Sequence, residues 1–267
     1  MKMAQDKNMV VGADFSGSPL TEILVKATLD ESLQPSLFYR ASEAGRPLLV
    51  GLHTWSWDRF NQIGNMLPWA EKLDFNLLLP EFRGSNLDTN LNCRQACGSE
   101  HARQDVKDAI DYVLQHEQID AQNIFLLGLS GGGHMALLTA AFWPQLFKAV
   151  GAAVPITDLK QWAHESDDYR PHVLACCGSS EEEMAARSPM TYAGKLAKAN
   201  LKIFHGKYDP VVPVHHSIDL YARIAQIDPN ARVFLDIFDG GHEIDMESAM
   251  HWLTSQYEGK SAVQVTG

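Results

Sequence analysis

The stretch Ile124-Phe125-Leu126-Leu127-Gly128-Leu129-Ser130-Gly131-Gly132-Gly133-His134 leaves this chain few folds to choose from. An apolar run of strand length ends at Gly128, a serine follows between glycines, and residues 135–142 are then apolar on every face. A strand feeding directly into a helix that is buried all round belongs at the centre of a sheet covered on both sides. Gly128-Leu129-Ser130-Gly131-Gly132 fits G-x-S-x-G, in which a serine rides a strained turn between strand and helix. Such a turn is too sharp for side chains beside the serine, and glycine tolerates both the dihedrals and the close strand–helix approach. The helix N-terminus then offers free N–H groups and a positive dipole end beside the serine oxygen.

The remaining elements fall into place around that unit. A continuous apolar run at 47–52, and segments at 75–79, 149–154, 202–205 and 233–238, read as further strands. Apolar residues at helical spacing separate them: Phe60, Ile63, Leu67, Ala70 and Leu73, then Ala102, Val106, Ala109, Ile110, Val113 and Leu114. Residues 214–225 and 247–257 read as later helices. Residues 20–29 and 33–41 flank Asp30-Glu31-Ser32 as an antiparallel hairpin at a sheet edge. Strands alternating with helices predict an α/β fold on one mainly parallel sheet, with helices on both faces. The 267 residues are read as one domain, with a loose lead-in over 1–18 and a frayed tail over 259–267. Over 156–189 the periodicity dissolves, and an insertion or small cap is expected there, after the sixth strand.

Ligands of such sheets sit at the carboxyl ends of the strands. A serine hydroxyl is a poor nucleophile at neutral pH and needs a base, usually a histidine held by a carboxylate. The strand at 202–205 runs into His205-Gly206-Lys207-Tyr208-Asp209-Pro210, and that at 233–238 into Asp239-Gly240-Gly241-His242. The chain order serine, acid, histidine selects Ser130, Asp209 and His242 as the catalytic residues. Asp239 and Asp245 are rival acids that lie too near His242 in sequence for the usual arrangement. An oxyanion needs a pair of donors. Gly131 follows the nucleophile, and Trp55 lies in the loop His53-Thr54-Trp55 after the strand at 47–52; their backbone N–H groups are the candidates. Trp57, Trp162 and Tyr169 are the candidate substrate-binding residues, and 162–177 is expected to border the pocket.

Composition narrows the partners. Net charge is −11, from 22 basic and 33 acidic residues, with no basic patch to hold nucleic acid or an anionic membrane. Residues 1–11 carry lysines but no apolar core of signal-peptide length, so a cytoplasmic protein is expected. Cys93, Cys97, Cys176 and Cys177 are too few and too clustered for a secreted disulfide framework, and they are read as reduced thiols. No histidine pair accompanies them at zinc-ligand spacing, so no metal and no cofactor are expected.

In this order the motifs resemble the α/β-hydrolase superfamily, and within it the catalytic domain of the prolyl oligopeptidase-like group and its related esterases. The resemblance rests on Arg83-Gly84-Ser85, on the run from Gly98 through Ala102 to Asp105-Val106 and Asp108-Ala109, and on 128–133. Arg187-Ser188-Pro189, His205-Gly206 with Asp209 and Val212-Pro213, and Gly241-His242 complete it, within residues 48–255. It implies an eight-stranded sheet, Ser130, Asp209 and His242 as a triad, and Trp55 and Gly131 at the oxyanion hole. The sequence departs from the group in having His53-Thr54 where His-Gly is usual. It also has no stretch matching the group's propeller, whose gate and amine-recognition residues find no counterpart. From this the expected activity is a carboxylic-ester hydrolase on small to medium acyl substrates, through an acyl-enzyme. A serine peptidase acting on short peptides is the alternative. A non-catalytic hydrolase-fold binding protein is the third reading, and it would require a broken triad.

Overall fold

The structure is a computed structural model that describes residues 18–257. Eight strands make one sheet: β1 (Thr21–Lys26), β2 (Leu33–Tyr39), β3 (Arg46–Leu52), β4 (Asn76–Pro80), β5 (Ile119–Leu129), β6 (Ala149–Ala153), β7 (Leu201–Gly206) and β8 (Val233–Phe238). Their order is β1-β2-β4-β3-β5-β6-β7-β8. The pairs β1–β2 and β2–β4 are antiparallel, so the expected hairpin forms one edge, and all other pairs are parallel.

Alternate side chains of the central strands enter different cores. Leu48, Val50, Leu52, Ile124, Leu126, Leu201 and Ile203 join one, while Leu49, Phe125, Leu127 and Phe204 join the other. A strand buried on both faces has no polar side to show, which is why β3 from Pro47 and β5 from Ile124 read as unbroken apolar runs. The first face is covered by α2 (Glu100–His116), α3 (Gly131–Phe142), α7 (Ala193–Leu196) and α8 (His215–Ile227). The second is covered by α1 (Ile63–Leu73) and α9 (Met246–Ser255). Every residue of α3 from Gly131 to Ala141 is buried, the polar His134 and Thr139 among them.

Residues 156–189 are more regular than their sequence suggests. They hold α4 (Leu159–Glu165), α5 (Arg170–Cys177) and α6 (Glu181–Ala186). Each has eight residues or fewer, too short to display a 3.6-residue period. Local chemistry starts them instead: Asp158 accepts the Gln161 N–H, Ser180 accepts the Glu183 N–H, and a proline opens α5. Their apolar faces meet Trp55, Ile156 and Val212, which follow β3, β6 and β7, in a small core over the carboxyl ends of the strands.

Two arginines from the motif stretches fasten these layers. Buried Arg83 holds both oxygens of Asp105, at 2.6 and 3.0 Å, and reaches Asp30 at 2.7 Å. Arg187 donates to the carbonyls of Ala96 and Arg94, each at 3.0 Å. Among the described residues no helix is long and apolar enough to cross a membrane. The tail at 259–267 and the lead-in, Ser18 apart, lie outside the described residues.

Candidate active site

Ser130 sits between β5 and α3 with φ 58° and ψ −117°. A non-glycine residue held in such a region carries about 1–3 kcal/mol of strain. It is fixed there by its N–H, which donates to Ala153 O at 2.8 Å, and by its carbonyl, which accepts from the His134 N–H at 2.9 Å. The expectation that neighbouring glycines would take the unusual dihedrals is corrected: Gly128, Gly131 and Gly132 have ordinary φ values. Their role is closeness. A Cβ on Gly128 would stand 2.0 Å from Gly132 O, and one on Gly132 would stand 2.3 Å from Leu52 O. The serine takes the strain and the glycines let strand and helix touch.

His242, in the loop after β8, places Nε2 2.9 Å from Ser130 Oγ, and its Nδ1 lies 2.7 Å from Asp209 Oδ2. A carboxylate can only accept, so Nδ1 carries the ring proton and the Nε2 lone pair faces the hydroxyl. Asp209 leaves β7 in a turn that its own side chain organises: Oδ1 accepts the N–H groups of Val211 and Val212 at 2.8 and 2.9 Å. Buried His205, at the end of β7, stands 3.4 Å from Asp209 Oδ2 and donates to Val212 O at 2.8 Å. Burial alone would raise the Asp209 pKa. Hydrogen bonds from His205, His242 and the Val212 N–H outweigh it and hold the carboxyl well below the usual range. Asp245 does not approach the imidazole's Nδ1; it caps α9 by accepting the Ser248 N–H.

The loop after β3 brings Trp55 against Gly131. Thr54 donates its N–H to Asn61 Oδ1 at 3.0 Å, and buried His53 stacks on Phe82 at 3.8 Å with its ring nitrogens at the carbonyls of Thr54 and Glu81. Asn86 ties the other side, its N–H donating to Trp55 O at 2.8 Å. Among the described residues, neither the Trp55 N–H nor the Gly131 N–H is donated to a protein acceptor. Threonine in place of the usual glycine therefore does not close the loop; its side of the turn is pinned through Asn61. Sequence reasoning assigned no role to His53, Asn61, Asn86 and His205, which hold the site loops and lie outside the serine–acid–histidine pattern. His205, at a strand end beside the acid loop, is the one with a sequence signal.

The three aromatic candidates separate. Trp57 is 60% exposed and lines a surface cavity of about 530 Å³ with Ser56, Arg83 and Ser85; that lining does not include Ser130. Trp162 is 1% exposed, and its indole N–H is donated to Val211 O at 2.9 Å. It packs beneath the site loops, and its indole holds the loop that carries Val211. Half-buried Tyr169 stacks on Trp162 with centroids 4.7 Å apart and lies edge-on to Trp55 at 6.3 Å. The 162–177 segment thus packs against the loop that carries Trp55.

All four cysteines are free thiols, and three of them, Cys97, Cys176 and Cys177, meet in the small core under α4 to α6. Burial, followed by contacts with Cys176 and Cys177, pushes the Cys97 thiol well up. Against the expectation of no metal-ligating cluster, Glu165, His215 and His216 bring donor atoms within 4.8 Å of one another.

The family model described as the prolyl oligopeptidase family matches residues 62–258. The chain belongs to the prolyl oligopeptidase family. It is 26% identical over 178 residues to the acylamino-acid-releasing enzyme of Rattus norvegicus, a match covering 61% of this chain and 24% of that one. The chain thus spans about a quarter of the length of the curated relatives it matches. The acylaminoacyl peptidase of Pyrococcus horikoshii superposes with a TM-score of 0.71 at 20% identity, covering 91% of this chain and 43% of that one. An acetyl xylan esterase from Paenibacillus sp. R4 gives 0.69 at 16% identity, covering 92% of this chain and 87% of that one. These likenesses are of fold, and the fold is the α/β hydrolase, with its eight-stranded, mainly parallel sheet between helices. Its family is one of serine hydrolases.

Proposed function

We propose that this chain is a serine hydrolase of the acylaminoacyl peptidase type, in which Ser130 is the nucleophile, His242 the general base and acid, and Asp209 the group that orients His242. The observation that carries the chemistry is the unbroken relay from Ser130 Oγ to His242 at 2.9 Å and on to Asp209 at 2.7 Å. Ser130 Oγ attacks the carbonyl carbon while its proton passes to His242 Nε2. The imidazolium formed is stabilised by the Asp209 carboxylate. Negative charge collects on the carbonyl oxygen, where the N–H groups of Gly131 and Trp55 stabilise it. His242 then returns the proton to the departing amine, leaving an acyl-serine that water, deprotonated by the same imidazole, cleaves.

The peptide reading replaces the ester as first choice because the curated relatives with the matching sequence are acylamino-acid-releasing enzymes. Ester hydrolysis is the second reading. What favours it is the acetyl xylan esterase, whose fold this chain matches over most of both lengths.

The test sets acetyl-alanyl p-nitroanilide beside alanyl p-nitroanilide and p-nitrophenyl acetate. The expected result is a kcat/KM on the acetylated arylamide at least about tenfold above the free-amine one, a difference of about 1.4 kcal/mol in transition-state binding. Equal rates on the two arylamides would remove the acylaminoacyl reading. Turnover of the ester alone would install the second.

A further inference from the structure

Away from the Ser130 relay, one group of side chains has the donor set of a metal site. His215 and His216 open α8, and Glu165 ends α4, fifty residues earlier in the chain. His215 Nε2 lies 3.0 and 3.2 Å from the two carboxylate oxygens of Glu165, and His216 Nε2 lies 3.2 Å from the second of them. Adjacent helical residues normally point about 100° apart and do not aim the same atom at one place. Here the two rings stack, with centroids 5.1 Å apart and planes 24° apart, and both turn Nε2 to Glu165.

The burial is graded as a metal site would have it. The His216 side chain is fully buried, whereas those of Glu165 and His215 are 28% and 40% exposed. One ligand is therefore fixed and the other two face a side open to solvent. The His216 Nε2–H donates to Glu165, and Nδ1 faces the Thr157 N–H at 3.4 Å and Thr157 Oγ1 at 3.3 Å; a metal at Nε2 requires that proton to move to Nδ1, where Thr157 Oγ1 can accept it. Metal-bound histidines are commonly oriented by such a partner on the far nitrogen.

We propose that Glu165, His215 and His216 bind one divalent transition-metal ion of the zinc class, with water as the fourth ligand. Two imidazoles and one carboxylate suit zinc, whereas calcium and magnesium prefer all-oxygen sites. Tetrahedral zinc with bonds of about 2.0–2.1 Å sets its ligand atoms roughly 3.3 Å apart. The separations of 3.0 to 3.2 Å between Glu165 and the imidazoles are close to that spacing. Rotation of the exposed His215 ring supplies the rest.

The consequence lies in what the ion would join. One turn before Glu165, Trp162 holds the Val211 carbonyl, and α8 begins shortly after the Asp209 turn. A bound ion would bolt α4 to the element that follows the acid loop, as a stabilising clamp outside the chemistry.

The protein, freed of metal with EDTA and dialysed, is titrated with zinc chloride by calorimetry and melted with and without the ion. Expected are one zinc per chain and a Tm rise on the order of 5–10 °C at a hundredfold excess over Kd. Glu165→Gln and His215→Ala, both at partly exposed positions, should each weaken binding at least about tenfold, while their metal-free activity stays within about twofold of wild type. Zinc bound equally by wild type and both variants would put the ion elsewhere, on the thiols or on His242, and would overturn the site. So would a wild-type protein that takes up no zinc and shows no shift in Tm.

Discussion

Gly131 faces the backbone nitrogen of Trp55 so closely that a Cβ added to the glycine would stand 2.5 Å from it. Two N–H groups from distant parts of the chain, one after the serine and one after β3, therefore share one small space. Because both donors are backbone, the contact between them is the place to intervene. Gly131→Ala has to push the Trp55 loop away, and kcat should fall by about 10²–10³-fold, the usual cost of one lost oxyanion donor. KM should move only a few-fold, and circular dichroism should show an intact fold. A folded variant with wild-type kcat would remove the Trp55 N–H from the mechanism.

Ser130 bears the strained dihedrals itself, at φ 58°, so two substitutions there should differ in stability while agreeing in activity. Ser130→Ala keeps the strain and should leave Tm close to wild type. Ser130→Gly relieves it and should raise stability by about 1 kcal/mol. Both should lose at least about 10³-fold in kcat. Thermal melts beside kinetics decide the matter, and detectable wild-type-like turnover by either would end the nucleophile assignment.

What the sequence disclosed and what it hid follow one physical division. The buried strands were visible because burial on both faces removes polar residues from runs such as Leu48 to Leu52, and Ser130, Asp209 and His242 because each follows a strand end in a set order. Contacts made by the folded chain alone left no local pattern. The Glu165–His215 pair joins residues 50 apart, and the buried thiols of Cys97 and Cys176 meet from a loop and from α5. The helices α4 to α6 escaped for another reason, since one or two turns are too short to show a period.

Asp209→Asn keeps the shape of the turn, but its amide can offer a hydrogen to Nδ1 and favour the wrong tautomer of His242. The rate should fall by up to about 10⁴-fold, whereas Asp245→Asn, at the cap of α9, should change kcat by less than about threefold. The depressed Asp209 pKa adds stability that is complete above the unfolded carboxyl value and drains away only as pH falls towards the folded one. Kinetics of the two variants in parallel test the ranking, and the reverse order would replace the acid.

His134, in the first turn of α3, should make the fold acid-sensitive well above the carboxylate range. It is fully buried, donates Nε2–H to Arg187 O at 2.7 Å, and its Nδ1 has no partner. Burial lowers its pKa from 6.5 to about 4. Between those values the unfolded chain takes up a proton that the native imidazole refuses. Stability is therefore full above about pH 6.5 and falls as the pH drops, by about 3 kcal/mol once pH 4 is reached. His134→Gln can still donate to Arg187 O but cannot titrate, so its urea midpoint should depend less steeply on pH across this window. An identical slope in wild type and variant would assign the acid sensitivity elsewhere.

Trp162 and Tyr169 stack on each other at 4.7 Å, yet they should respond to mutation in opposite ways. Trp162 is wholly buried, reaches Val211 O through its indole, and lies edge-on to Trp55 at 4.8 Å. Trp162→Ala opens a large cavity beneath the site and should cost about 3–5 kcal/mol of stability. Trp162→Phe refills most of the volume but leaves the Val211 carbonyl unpaired, for about 1–3 kcal/mol. Tyr169 is only half-buried at the outer side of this stack, and we propose it as a contact for the substrate acyl group. Tyr169→Ala should therefore leave Tm within a few degrees of wild type and raise KM several-fold, with kcat little changed. Melting curves and initial rates on the same preparations separate the two residues. If Tyr169→Ala lowered Tm as far as Trp162→Ala while KM stayed constant, the ring would be part of the packing, and the substrate would have to be held from another side.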